Sequence, residues 1–210
     1  TTLYGFASLE LTSSKPCQPF GRGRNGISVA EAAGFVLLTR SSPEIDADAP
    51  VLLSVGESSD AHHMSSPHPQ GRGAQAAMQA ALKHAKLNAD CIDYINLHGT
   101  ATISNDAAED QAVAAVFGNT TACSSTKGAT GHTLGAAGSI EAIITALCLQ
   151  KDLIVGGLNT IERDPALHTN YVLSNRKQPL SYAMSNSFGF GGSNCSLIFG
   201  KAGNLVDVEQ

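Results

Sequence analysis

Apolar residues fall along the chain in short blocks separated by glycine- and proline-marked loops, and strand-like and helix-like blocks alternate. Residues 26 to 40 end in the run Gly-Phe-Val-Leu-Leu-Thr-Arg, whose apolar core predicts a short buried strand. Ser41 to Pro50 is acidic with two prolines and reads as a surface loop, and Val51 to Val55 as a second strand. Ser58 to Gly73 carries three of the seven histidines, two prolines and two glycines, which makes it a loop. Ala74 to Lys86 is alanine-rich, with Met78 and Leu82 one turn apart, and predicts a helix. Ile92 to Leu97 is a strand running into His98, and Asp106 to Phe117 is a helix. Thr120 to Ser125 is a strand followed by a glycine-punctuated turn, Lys127 to His132. Leu134 to Leu149 is apolar nearly all round, the pattern of a central buried helix. Tyr171 to Leu173, Tyr182 to Asn186 and Cys195 to Phe199 supply the remaining strands. Thr1 to Leu11 also opens in an apolar stretch that reads as structured.

This alternation predicts an α/β protein with a mostly buried sheet. Composition agrees: 42% hydrophobic and only 15% charged residues describe a chain with a substantial core rather than a disordered one. The formal charge of −5, with no basic tract, argues against nucleic acid and against a polybasic membrane anchor. No apolar run has the length of a bilayer span. The five cysteines, Cys17, Cys91, Cys123, Cys148 and Cys195, include no Cys-x-x-Cys pair, which fits a reducing, cytoplasmic setting.

Three segments place reactive side chains where a strand hands over to a loop. The first is His98-Gly99-Thr100-Ala101-Thr102, with Asp106 and Glu109 opening the next helix. The second runs Ser125-Thr126-Lys127-Gly128-Ala129-Thr130-Gly131-His132 and on through Gly138. The third is Asn186-Ser187-Phe188-Gly189-Phe190-Gly191-Gly192-Ser193-Asn194. Glycine lets the backbone bend sharply beside the polar groups, and two histidines with a lysine can stabilise a developing negative charge.

These segments resemble the His-Gly-Thr-x-Thr, Lys-x-x-x-Gly-His and Asn-x-Phe-Gly-Phe-Gly-Gly signatures of the β-ketoacyl-ACP synthases. His63 to Gly71, with Met64, Pro67 and Pro69, resembles that family's His-Met-x-x-Pro-x-Pro loop. Pro19-Phe20 and Arg24-Asn25-Gly26 resemble its Pro-Phe-Asp-x-x-Arg-Asp-Gly stretch, with Gly21 and Asn25 in place of the two acids. The resemblance implies a thiolase-like fold, layered α-β-α-β-α and incomplete in this chain. Residues 1–60 would be the end of its N-terminal half and residues 61–210 its C-terminal half.

The implied reaction is decarboxylative Claisen condensation of malonyl-ACP with an enzyme-bound acyl group, in fatty acid, polyketide or aryl polyene elongation. His98 and His132 would bind the malonyl thioester oxygen, Lys127 would pair with Glu109, and Thr100 and Thr102 would hydrogen-bond the phosphopantetheine arm. Phe190 would be the gate, its amide contributing to the oxyanion hole, with Phe188 supporting that loop. Phosphopantetheine would arrive on acyl carrier protein, with no dissociable cofactor. The expected partners are that carrier and the half that completes the fold, in a homodimer or a ketosynthase heterodimer.

The family's nucleophilic cysteine lies in the N-terminal half, and no residue of this chain aligns with it. Thr121-Ala122-Cys123-Ser124-Ser125 reads like the nucleophile motif, but Thr126, Lys127 and Gly128 follow where a long small-residue helix should begin. Cys123 is therefore expected to pack in a strand. His62, His63 and His68 lack helical ligand spacing, so no metal site is expected there, and His84 and His168 read as structural. A non-catalytic partner subunit of the chain-length-factor type is the rival reading, although such subunits typically lose residues that are present here.

Overall fold

The computed structural model describes residues 2–42 and 44–207; of the sequence expectations, Thr1 and Pro43 lie outside these. A six-stranded mixed sheet organises the chain. Its strands are β1 (Pro50–Ser59), β2 (Tyr94–Asn96), β3 (Ala122–Ser124), β5 (Asn170–Tyr171), β7 (Tyr182–Phe188) and β8 (Ser193–Lys201), in the order β1-β8-β7-β2-β3-β5. β1 and β7 flank β8 in antiparallel register, whereas β7, β2, β3 and β5 run parallel. A separate antiparallel pair, β4 (Leu153–Ile154) with β6 (Arg176–Lys177), was not expected from the sequence. β1 is bonded along its length to β8.

Helices cover both faces of the sheet. α2 (Arg72–Ala85) and α3 (Ile103–Phe117) lie on one face, where Met78, Ala81, Ala112 and Val113 pack on Ile95, Met184 and Ile198. The single helical turn α4 (Lys127–Thr130) precedes α5 (Ala137–Gln150), which packs Cys148 and Leu149 on Tyr94, Ala122 and Ala183 of the other face. Adjacent strand residues such as Tyr94 and Ile95 thus enter different clusters, as the two-residue strand period requires. Thr102 begins α3 by accepting a hydrogen bond from the Asn105 amide, the ordinary threonine N-cap.

Two expectations are corrected. The apolar block within 26–40 is not a buried strand: residues 30–42 have no regular structure, and Phe35 and Leu37 are 91% and 90% exposed. Its composition suits a central strand, but no neighbouring strand among the described residues pairs with it. Likewise α5 is not buried all round. Glu141, Thr145 and Cys148 face inward while Leu147 is half exposed, because the sheet covers only one side of the helix. The opening apolar stretch forms a short helix, α1 (Thr2–Ser8), with no buried residue.

Candidate active site

Three neighbouring parallel strands end at the same edge of the sheet, and each delivers part of the site. β2 leads into His98, β3 into Lys127, and β7 into Phe188 and the turn bearing Phe190. The carboxyl ends of parallel strands are where loops gather functional groups in open α/β sheets. His132 arrives from β3 as well, one turn beyond Lys127. The imidazoles of His98 and His132 stand edge to face, with ring centroids 5.4 Å apart.

Lys127 is buried behind His98. Its ammonium donates to the Glu141 carboxylate and, at 2.5 Å, to the His98 carbonyl oxygen. It also lies 3.2 Å from His98 Nδ1. An ammonium has no lone pair, so Nδ1 is the acceptor and the proton of the neutral ring resides on Nε2. In His132 the Leu134 amide donates to Nδ1 at 3.2 Å, which leaves Nε2–H as that ring's donor as well. Burial, followed by the Lys127 charge, holds both rings neutral: His98 is driven well below the usual imidazole range and His132 down to about 4.

The expected partnership of Lys127 with Glu109 is replaced by one with Glu141. Glu109 instead accepts from the His98 amide at 2.8 Å and the Gly99 amide at 2.7 Å, clamping the backbone from which the His98 ring projects. Its pKa rises to about 7, because burial outweighs those two hydrogen bonds. Glu141 was missed in the sequence, although a single carboxylate within an otherwise apolar helix is a usable signal. Its pKa is likewise raised by burial, against the opposing pull of Lys127. Asp106, fully buried with its pKa raised to about 6, accepts from the Phe20 and Ala101 amides and joins the Pro-Phe segment to the His-Gly-Thr loop.

A cleft of about 840 Å³ opens over these groups. His98, His132, Thr100, Thr102, Phe188 and Phe190 all line it, and Lys127 and Glu109 stand behind its wall. Thr100 and Thr102 share a hydrogen bond of 2.9 Å between their hydroxyls. Phe188 contacts the His98 ring at a centroid distance of 5.8 Å. Phe190, 52% exposed, touches Phe6 of α1 at 5.7 Å. The turn carrying Phe190 is tied to the histidine-rich loop: the Gly191 amide donates to Met64 O, the Asp60 amide to Gly192 O, and the Asn194 side chain to the Asp60 carboxylate.

Cys123 lies in β3 with no exposed surface, and burial pushes its thiol up to about 12, far from a nucleophile's range. Among the described residues, no group of three or more His, Cys, Asp or Glu is arranged to hold a metal ion, and no helix is long and apolar enough to cross a membrane.

Residues 50–160 match the family model described as "Beta-ketoacyl synthase, C-terminal domain". The chain belongs to the β-ketoacyl synthase family. It is 40% identical to the mitochondrial 3-oxoacyl-[acyl-carrier-protein] synthase of Arabidopsis thaliana over 87% of its own length and 42% of that protein's. It is 38% identical to 3-oxoacyl-[acyl-carrier-protein] synthase 2 of Vibrio harveyi, over 89% of this chain and 47% of the relative. Among solved structures, a ketosynthase in complex with its chain length factor from Xenorhabdus doucetiae matches with a TM-score of 0.85 and 42% identity, over 96% of this chain and 50% of that one. A β-ketoacyl synthase from Burkholderia phymatum matches at 0.83 and 34%, over 95% and 51%. The fold is thus thiolase-like, and the chain spans about half the length of the synthases it matches, corresponding to their C-terminal part.

Proposed function

We propose that this protein acts in 3-oxoacyl-ACP synthesis, by decarboxylative Claisen condensation of malonyl-ACP with an enzyme-bound acyl group. The supporting observation is the state of the two histidines. Both are neutral, both have Nδ1 occupied as an acceptor, and both line one cleft. Two Nε2–H donors are what a malonyl thioester oxygen needs as charge builds on it. When the C–C bond to the carboxylate breaks, CO₂ leaves and its electron pair passes into the enolate held by His98 and His132. The enolate carbon then attacks the acyl thioester on a cysteine, expelling the thiolate and forming the new C–C bond of 3-oxoacyl-ACP. We assign that cysteine to the N-terminal half of the thiolase-like fold.

Lys127 and Glu141 set the His98 tautomer, and Glu109 holds the backbone that carries the ring. Thr100 and Thr102 supply hydroxyls for the phosphopantetheine arm that acyl carrier protein brings, and Phe190 at the cleft is the gate, supported by Phe188. The route uses no dissociable cofactor. The uncovered block Phe35–Leu38 and the outer side of α5 are the surfaces that the N-terminal half covers, within a homodimer or a ketosynthase heterodimer in the cytoplasm. A purely structural partner subunit has no use for the intact His98, Lys127 and His132 set, which favours the catalytic reading.

The test is an assay of the full protein carrying this chain, with acyl-ACP and carboxyl-labelled malonyl-ACP. Release of labelled CO₂ with 3-oxoacyl-ACP detected by mass spectrometry is expected. Absence of both overturns the proposal.

A further inference from the structure

The two histidines of the cleft are held in different ways. His98 is fixed by side chains, through Glu109 and Lys127. His132 is fixed almost entirely by backbone, and by a segment distant in sequence. The His132 amide donates to Ser28 O at 2.7 Å and the Ala30 amide donates to His132 O at 3.1 Å, which makes a one-residue parallel bridge between Val29 and His132. The same segment reaches the other histidine's loop, because the Gly26 amide donates to Ala101 O at 3.0 Å. It reaches the lysine turn as well: Ser28 Oγ accepts from the Cys17 amide, and the Cys17 thiol donates to Lys127 O.

Gly131 is what lets the segment come so close. Its φ of +67° is one that side chains resist, and a Cβ built there would stand 2.6 Å from the Ala30 Cβ and 2.9 Å from Ser28 O. Further along, Gly34 passes the first turn of α5, where a Cβ would lie 2.6 Å from Ser139 Oγ. The segment is thus wedged against the site at Gly131, where the fitting residue is glycine.

From this geometry we infer that Gly26–Ala30 is a positioning strap for the histidine pair, setting His132 against His98 by a backbone ladder that depends on the closeness of Ala30 to Gly131. The role of the pair itself rests on the functional reading given above; the strap does not. Apart from Ile27, which lines the cleft, its residues stand outside the cleft's lining and act through His132.

The ladder supplies a two-sided test in the full protein. Ala30→Pro removes the amide that donates to His132 O and should free the His132 loop from the strap, whereas Ala30→Gly keeps that amide. Malonyl-ACP decarboxylation should fall about 100-fold in Ala30→Pro, the loss that a misplacement on the order of 1 Å brings. Acyl loading should change far less, and Ala30→Gly should retain most of the rate. A readout independent of activity is the NMR titration of the His132 ring. It should move toward the usual imidazole range in Ala30→Pro and stay depressed in Ala30→Gly. A ring titration unchanged in Ala30→Pro, or an Ala30→Gly variant as impaired as Ala30→Pro in both measurements, overturns the strap. A protein that does not decarboxylate but shows the titration shift in Ala30→Pro alone retains the strap and loses the functional reading.

Discussion

Nδ1 of His98 and Nζ of Lys127 lie 3.2 Å apart inside the protein, and this contact decides which nitrogen of the ring carries its proton. Nζ also pairs with Glu141, a carboxylate on α5 rather than Glu109 of α3, the partner that the family resemblance implies. One buried ion pair therefore serves two ends, holding α5 to the sheet edge and fixing the tautomer.

Those two ends can be separated. Lys127→Met should destabilise the protein by about 3–5 kcal/mol, because Glu141 is left buried without its counter-ion. Lys127→Met/Glu141→Leu should recover much of that stability in urea titrations while leaving decarboxylation as low as in the single variant. A double variant that regains activity along with stability would show that the lysine serves packing alone.

His132→Ala should lower malonyl-ACP decarboxylation by about 100- to 1000-fold, the range for removal of one preorganised donor to a developing oxyanion. Transfer of an acyl group from acyl-ACP to the nucleophile should persist in part. Equal loss of both steps would assign His132 a structural role.

Glu109 makes stability depend on pH in a defined direction. Burial raises its folded pKa to about 7 from its ordinary value of 4.5, so the folded state keeps a proton that the unfolded chain releases in that interval. Its contribution therefore declines as pH rises from about 4.5 to 7 and is level above. Relative to the unaltered protein, Glu109→Gln should gain about 3 kcal/mol across that window. The depressed pKa of His132 acts oppositely, since its neutral folded form loses stability as pH falls from about 6.5 through 4. Denaturation curves at a series of pH values, taken as the difference between the two proteins, isolate the Glu109 effect; a flat difference would refute it.

Cys123 should stay unlabelled in the folded protein by both iodoacetamide and acyl-ACP, whereas the partly exposed Cys91 and Cys195 should be alkylated. Peptide mapping by mass spectrometry decides this. Acyl label on the Cys123 peptide, lost in Cys123→Ala, would make it the nucleophile.

The strand-end motifs were legible because chemistry and backbone geometry occur together there. A histidine, lysine or phenylalanine followed at once by glycine marks a sharp turn, and three such turns on adjacent parallel strands converge. The carboxylate of Lys127 was not legible in the same way. Glu109 and Glu141 both sit within helices, and only the rotation of α5 against the sheet aims Glu141 at the ammonium while Glu109 meets backbone amides. The block at Phe35 shows the opposite difficulty. Its hydrophobicity reports what the segment buries against when covered, and hydrophobicity alone does not state which neighbour provides the cover. The short pair β4–β6 left no signal because two residues per strand are too few for a period.

Phe35 to Leu38 present apolar side chains to solvent, and among the described residues their backbone joins no sheet. Such a stretch adds nothing to folding free energy until something binds over it, after which its burial counts toward both folding and association. The melting temperature should then move with the concentration of whatever covers it, as for any folded state stabilised by a bound species. Thermal midpoints from samples of different composition consequently describe a binding equilibrium as much as this chain.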